Sequence, residues 1–305
     1  MKTTSTPNKK KDYWNLTNQL SFRHIGTAIV CLKSLAIVFF GYLIFKEIQQ
    51  GTLNFDSTIW WFILAGFIAQ LIDGALGMAY GVSCTTLLLN FGLPPSIVSA
   101  SVHTSEIFTT GVSGLSHLKF KNIDKALFFK LVFTGVLGAV IGAFLISQIF
   151  EGSAVKPYIS AYLLILGCLI LYKGIRNKRK ENKKLKHIPQ IAFLGGLLDA
   201  IGGGGWGPIV TSNIINQGKS PRTTIGTVAT SEFFVTFFAT AIFIFFLGVQ
   251  FWQIVIGLII GGTIAAPVGA YLVSRVRKRI LMILVGILII ITSSYTIYKE
   301  ISTFL

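Results

Sequence analysis

The feature that most constrains this chain is a segment that occurs twice, because residues 73–106 and 199–232 align without a gap, 126 positions apart. Of the 34 aligned positions, 11 are identical. They are Asp73/Asp199, Gly77/Gly203, Gly81/Gly207, Thr85/Thr211, Asn90/Asn216, Gly92/Gly218, Pro95/Pro221, Val102/Val228, Thr104/Thr230, Ser105/Ser231 and Glu106/Glu232. Almost all are polar or helix-breaking residues, which drift among apolar residues does not reproduce. The chain is therefore predicted to consist of two related halves.

Composition places both halves in a membrane. The chain is 52% hydrophobic and 12% charged, with a mean hydropathy of +0.70. Apolar stretches of about 20 residues recur, which is the length that a helix needs to cross the hydrocarbon core. The sequence predicts an all-α polytopic membrane protein of the cell membrane. Its net charge of +16 lies in short loops, which indicates cytoplasmic loops rather than nucleic-acid binding.

The predicted organisation has five parts. They are a cytoplasmic N-terminal tail (1–24), an extra first transmembrane helix and loop (25–57), a first repeat (58–174), a basic cytoplasmic linker (175–189) and a second repeat (190–305). No cleavage site follows the tail, so the first helix is expected to be retained. The three cysteines lie singly in apolar segments, which predicts neither disulfides nor a metal site.

Two pairs of apolar segments are too short to span the membrane or barely long enough, and glycine-rich sequence separates the members of each pair. The breaks lie at Gly74–Gly81 and Gly202–Gly207. If each pair starts and ends on the same side of the membrane and the N-terminus is cytoplasmic, 23 of the 27 Lys and Arg residues face the cytoplasm. Re-entrant hairpins and two short crossings satisfy this equally. Either arrangement predicts that the second repeat is inverted relative to the first.

Four acidic residues fall inside the apolar segments, namely Asp73, Glu106, Asp199 and Glu232. A carboxylate at bilayer depth costs at least about 2.5 kcal/mol, so a role in proton coupling or gating is plausible. The alternatives are that each Asp caps a half-helix and that each Glu anchors one. His103 lies at i, i+3 from Glu106 and is a further candidate for proton coupling, as a relay with Glu106, and the alternative is a buried neutral imidazole. It breaks the symmetry, since its counterpart is Ala229. We therefore predict that Glu106 titrates and that Glu232 is structural.

The glycine breaks are predicted to start half-helices inside the membrane. Such ends present backbone N–H groups and a positive dipole, which can bind a small anion without Arg or Lys. The predicted substrate-binding residues are Gly77, Tyr80, Gly81, Thr85, Thr104, Ser105, Gly203, Trp206, Gly207, Thr211, Thr230 and Ser231. The two aromatic residues can equally be packing residues, and the hydroxyls can bond their own helices.

The stretches Gly66–Gly81 and Gly195–Pro208, each followed by a Thr-Ser-Glu triplet, resemble the sulfite exporter TauE/SafE family of membrane permeases. The resemblance covers roughly residues 58–298. It implies a secondary transporter for anionic sulfur compounds such as sulfite or sulfonates, often moved outward. The expected partners are a small anion and the lipid bilayer.

Several functional alternatives stay open at this stage. No phosphate-binding P-loop is present, so we expect no ATP chemistry, and we expect no other cofactor and no nucleic acid. The alternatives are anion uptake, an intramembrane enzyme that uses Glu106, His103 and Glu232, and a membrane assembly factor. The oligomeric state is left open.

Overall fold

A computed structural model describes residues 21–50, 56–76, 78–150, 152–176, 185–248, 251–275 and 278–304. Much of the predicted tail, the predicted tip residue Gly77 and linker residues 177–184 lie outside these ranges. The helices are α1 (Phe22–Gln49), α2 (Ile59–Leu76), α3 (Tyr80–Asn90), α4 (Pro95–Lys119), α5 (Lys125–Phe144), α6 (Gly152–Ile175), α7 (Ile188–Gly202), α8 (Ser212–Asn216), α9 (Pro221–Leu247), α10 (Trp252–Arg275) and α11 (Lys278–Phe304). A π-helical turn, Leu145–Ile149, extends α5, and a second, Gly207–Thr211, leads into α8.

The predicted fold class is confirmed. No strand occurs in the described ranges, and five of the described helices are long and apolar enough to cross a membrane: α1, α5, α6, α9 and α11. Proline residues begin α4 and α9, where a missing N–H costs nothing. The helix α7 ends because Gly203 takes a left-handed conformation, with φ of +65°.

The segments after the two breaks are half-helices. At 11 residues, α3 is about 16 Å long, against a hydrocarbon core of about 30 Å. The second half-helix, which comprises the turn Gly207–Thr211 and α8, is equally short. These lengths favour the re-entrant arrangement over two full crossings.

Helix packing relates the two halves by an approximate two-fold axis. The first helix of each half packs against the fourth helix of the other half, so α2 pairs with α10 and α7 with α5. Equivalent helices also pair with each other, α4 with α9 and α6 with α11. Glycine allows the close approach, since a Cβ at Gly66 would strike the backbone of Leu258, and one at Gly196 the backbone of Gly135. The inverted orientation of the halves in the membrane stays a prediction.

Loops that the charge distribution assigns to one side also meet in the structure. Lys219 forms an ion pair with Asp124 at 2.5 Å, and Arg222 donates to Asn122 at 2.6 Å. The backbone N–H of Lys186, at the end of the linker, donates to the Gln217 side chain at 2.5 Å. We call this end of the molecule the linker face, and the predicted topology makes it cytoplasmic.

Candidate functional site

The tips of the two broken helices cross each other at equivalent positions. A Cβ at Gly81 would lie 3.0 Å from Cα of Gly204, and a Cβ at Gly207 would lie 2.8 Å from Cα of Met78. These two contacts are related by the 126-residue offset of the repeat. The two tips therefore cross at corresponding positions, where a Cβ would collide with backbone at Gly207 and would be tightly placed at Gly81.

Both aspartates cap the half-helix that follows them. The Asp73 carboxylate accepts hydrogen bonds from the N–H groups of Ala79 (2.9 Å) and Tyr80 (3.3 Å). The Asp199 carboxylate accepts one from the N–H of Trp206 at 2.9 Å, the equivalent contact in the second half. The capping interpretation therefore holds for both, since each satisfies donors that the short helix cannot pair internally.

The two glutamates lie beside the crossing but make no such bonds. Neither the Glu106 nor the Glu232 carboxylate has a hydrogen-bond partner among the described residues. Glu106 is only 4% exposed, and its Oε1 would lie 3.1 Å from a Cβ at Gly81. Glu232 is partly exposed. Neither carboxylate thus anchors a half-helix within the part of the chain that the structure describes.

A cavity of about 290 Å³ begins at the tips and extends toward the linker face. One wall is a polar stripe on α4 at helical spacing, Glu106, Thr110, Ser113 and His117. His117 lies 3.3 Å from the side-chain nitrogen of Asn122, at the linker face. The remaining lining residues are Gln70, Asp73, Met78, Tyr80, Gly81, Val82, Thr109, Asp199, Gly205, Gly207, Pro208, Ile225, Ala229 and Glu232. The lining thus combines all four predicted acids with residues of both halves.

The equivalent path toward the opposite face is closed. On α9 the counterparts of Thr109, Thr110, Ser113 and His117 are Val235, Thr236, Ala239 and Phe243. The side chains of all four are buried, with at most 2% of each exposed. The Phe243 ring, fully buried, lies 5.6 Å from the His103 ring. This arrangement is an inward-facing state if the linker face is cytoplasmic.

His103 joins the two halves rather than facing the cavity. It is fully buried, its Nδ1 lies 2.9 Å from the carbonyl oxygen of Ser99, and its Nε2 lies 3.2 Å from Oδ2 of Asp199. One ring nitrogen of His103 and one carboxylate oxygen each of Glu106 and Asp199 all lie within 4.8 Å of one another. Sequence reasoning linked His103 to Glu106 on the same helix and missed Asp199, because that partner belongs to α7.

The structure separates the predicted substrate-binding residues into two groups. Tyr80, Gly81 and Gly207 line the cavity, whereas Gly203, Trp206 and the six hydroxyl residues do not. Trp206 is fully buried and donates its indole N–H to the carbonyl of Val228 at 3.3 Å.

Most of the predicted hydroxyls serve the backbone. Thr104, Thr230 and Ser231 donate to carbonyl groups one turn earlier in their own helices, at 2.7 to 2.8 Å. Thr85 donates to the carbonyl of Gly203, and Ser105 bonds its own helix and the Tyr80 hydroxyl. Thr211 is buried in the second half-helix. The packing and backbone interpretations therefore hold for this group.

The stripe of Thr109, Thr110, Ser113 and His117 was missed by sequence reasoning. Its signal was available, because polar residues recur on the Glu106 face of a helix that is otherwise expected to be apolar. The counterparts in the second half are mostly apolar, and a search for repeated residues passes over them.

Comparison with known proteins gives two matches. A family model described as sulfite exporter TauE/SafE matches residues 62–296, a range that includes both breaks and all four acids. Over 249 residues the chain is 44% identical to the "probable membrane transporter protein YtnM" of Bacillus subtilis (strain 168). The aligned region covers 78% of this chain and 82% of that protein. No solved structure gives a significant match.

Proposed function

Because this chain belongs to the sulfite exporter TauE/SafE family, and is thus a membrane transporter, we propose that it is a secondary transporter that exports a small anion, sulfite or a sulfonate. An inside-negative membrane potential contributes about 2.3 kcal/mol per 100 mV for each net negative charge that leaves, so a divalent sulfite ion that leaves with one proton still gains this amount. Export thus needs no ATP.

The observation that carries this proposal is the cavity at the crossing of two half-helix starts. Asp73 and Asp199 take some of the N–H groups at these ends. The N–H groups of Val82 and Gly207, both cavity-lining, have no acceptor among the described residues. They are donors for an anion at the tips, and the hydroxyl of Ser113 is a further donor two turns along α4 from Glu106, toward the linker face. A cavity of about 290 Å³ suits a solute of a few heavy atoms.

Transport follows from an exchange of roles between the halves. In the inward-facing state, Ile225 and Ala229 of α9 line the cavity together with the polar stripe of α4. In the outward-facing state, the two-fold relation assigns the same roles to Ser99 and His103 of α4 and to the buried residues Val235, Ala239 and Phe243 of α9. The tips and the bound anion stay near the axis in both states.

Proton coupling accounts for the acidic lining. Ionised carboxylates in the lining repel an anion that binds at the tips. The anion is therefore accepted when these carboxylates carry protons. We assign the proton to Glu106, which is buried next to the tips, and no share in proton transfer to Glu232, which is partly exposed. Glu106→Gln should abolish proton-coupled flux but leave exchange between two loaded pools intact, while Glu232→Gln should leave both nearly unchanged. The reverse result would reverse the assignment, and pH dependence in both variants would exclude this pair.

The transport proposal itself is tested in proteoliposomes. Purified protein should give saturable flux of radiolabelled sulfite or a sulfonate, accelerated by a membrane potential that is negative on the loaded side, and liposomes without protein should not. The flux of radiolabelled sulfate is measured in the same liposomes for comparison with the flux of sulfite and sulfonates. Conversion of the solute into a product without flux would favour an intramembrane enzyme instead.

A further inference from the structure

The cavity has a charge imbalance that its transport role must resolve. Its lining contains four carboxyl groups, and no Lys or Arg occurs among the described lining residues. His117 lies at the linker-face end, away from the tips. Asp199 on α7 and Glu106 on α4 lie close to His103. Further titratable groups lie near these two carboxylates, namely Glu232 on α9, Asp73 on α2, Tyr80 and Cys84 on α3, and Tyr162 on α6. Two described groups near the tips can carry a positive charge, His103 and Lys173 of α6, whose Nζ lies 3.5 Å from the carbonyl oxygen of Pro208. Of the two, His103 contacts a carboxylate of the lining.

The hydrogen bonds of His103 fix where its protons are. Nδ1 faces the carbonyl oxygen of Ser99 at 2.9 Å, and a carbonyl can only accept, so Nδ1 carries a hydrogen. The Ser99 hydroxyl, 3.4 Å from Nδ1, donates to the carbonyl of Ala200 and is also free to accept. Both acceptors near Nδ1 lead to the same tautomer.

A second proton is then required on the other side of the ring. In a neutral imidazole with a hydrogen on Nδ1, Nε2 has a lone pair, which would face the lone pairs of the Asp199 carboxylate at 3.2 Å. Two acceptors at this distance repel each other unless a proton lies between them. The geometry thus places one shared proton between α4 of the first half and α7 of the second.

Two carboxylates connect this pair to the cavity, because Asp199 lines it and Glu106 lies beside the pair. Asp199 is engaged by the N–H of Trp206, and Glu106 is not engaged in this way. The Glu106 carboxylate lies within 4.8 Å of the His103 and Asp199 atoms, lines the cavity and has no hydrogen-bond partner among the described residues. His103 itself does not line the cavity. Glu106 is therefore the free acceptor next to the shared proton.

The second half has no equivalent pair. The counterpart of His103 is Ala229, which lines the cavity together with Asp73. Asp73 keeps its capping bonds but has no imidazole partner among the described residues. The described residues thus provide one such proton position, although the sequence repeat occurs twice.

We propose that the His103–Asp199 pair is the storage site of the transported proton and that Glu106 exchanges that proton with the inward-facing cavity. In this step the N–H bond at Nε2 breaks, an O–H bond forms on Glu106, the imidazolium becomes neutral and the carboxylate becomes a neutral acid. In the outward-facing state His103 takes the lining position that Ala229 has here, and it exchanges its proton with the opposite side. This inference deepens the proposed function and rests on it.

The test measures anion and proton movement together. Wild-type protein is reconstituted in liposomes that contain a pH-sensitive dye, and radiolabelled sulfite flux is recorded in parallel over a range of pH. His103→Ala, which copies the second half, should lose at least about nine-tenths of the proton movement and the pH dependence of net flux. It should retain exchange of labelled sulfite between two loaded pools, which shows that the site is intact.

The two aspartates supply a matched pair of variants. Asn retains an oxygen that can cap the half-helix, so Asp199→Asn and Asp73→Asn remove the same charge from equivalent positions. Asp199→Asn should lose proton movement as His103→Ala does, and Asp73→Asn, which removes the same charge but leaves the pair in place, should lose a smaller share of it. Wild-type proton movement in His103→Ala, or equal loss in both Asn variants, overturns the inference. A stoichiometric divalent metal in the purified protein that is lost in His103→Ala would overturn it as well, because a metal would then occupy the pair. Absence of sulfite flux in the wild type would instead count against the proposed function.

Discussion

Replacement of Phe243 by Ala should shift the transporter from the inward-facing toward the outward-facing state. The Phe243 ring is fully buried here, where it closes the path on the face opposite the linker face. In the outward-facing state it would line an open path, as His117 does in the inward-facing cavity. Burial of a Phe side chain contributes about 1.5–3 kcal/mol, and only the inward-facing state gains it. Its loss should raise the outward-facing population about 10- to 150-fold, at about 1.4 kcal/mol per factor of ten.

Symmetry-related cysteine reporters measure this shift. Ser113 lines the present cavity, and its counterpart Ala239 is fully buried. After Cys31, Cys84 and Cys168 are replaced by Ser, a membrane-impermeant maleimide should label Ser113→Cys from the linker-face side and Ala239→Cys from the other. Phe243→Ala should increase the labelling rate of Ala239→Cys by the factor given above for as long as the outward-facing state remains the minor one.

The control is a phenylalanine on the same helix that closes nothing. Phe245 is 78% exposed, so Phe245→Ala removes an equal side chain without affecting the path. Phe243→Leu keeps most of the apolar burial and should give a smaller increase. A Phe243→Ala labelling rate equal to that of the parent would refute the reasoning, as would an equal increase in Phe245→Ala.

Two further predictions concern the tips and the linker face. Gly81→Ala and Gly207→Ala place a Cβ within 3.0 Å of opposing backbone, so each should lower the free energy of unfolding by about 1–3 kcal/mol and impair flux. The control is Gly41→Ala, which should do neither because nothing lies within 4 Å of its Cβ. Thermal unfolding and sulfite transport measure the two effects. Burial raises the pKa of Asp124, but the hydrogen bond from Lys219 and backbone N–H groups outweigh it and hold this pKa below its ordinary value of about 3.9. The stabilisation that ionised Asp124 gives the folded state is therefore fully present above that ordinary value, and it is lost as pH falls through the lower folded-state pKa. The difference in melting temperature between wild type and Asp124→Asn should accordingly stay constant above about pH 4 and shrink with acidification below it.

The helical membrane fold and the position of the breaks could be predicted because they depend on local chemistry. Gly203 must take a left-handed conformation at the end of α7, and Pro95 and Pro221 begin helices. The caps by Asp73 and Asp199 also follow from sequence, since a carboxylate a few residues before a helix start has few other uses there. These residues act on backbone close to themselves.

The lining of the cavity could not be predicted from the repeat, because the repeat selects residues with the same role in both halves. Thr104, Thr230 and Ser231 recur because each bonds its own helix, and they are thus poor candidates for a substrate contact. Residues that line a path open on one side only differ between the halves, as Ser113 and Ala239 do. The partner of His103 was missed for a different reason, since Asp199 lies 96 residues away and only tertiary packing brings it near.

These differences between the halves determine which way the transporter faces. If the two halves were identical, a two-fold rotation would interchange the inward-facing and outward-facing states. The two states would then have equal energy, and neither would be preferred. The preference must then come from positions where the copies differ. His117 and Phe243 are such a pair, since a polar side chain tolerates the open path and an aromatic ring favours the closed one. His103 and Ala229 are a second pair, and they act on the proton rather than on the path. Exchange of the first pair, His117→Phe with Phe243→His, should therefore reverse the labelling preference of the Ser113→Cys and Ala239→Cys reporters. An unchanged preference would mean that the bias arises elsewhere in the two halves.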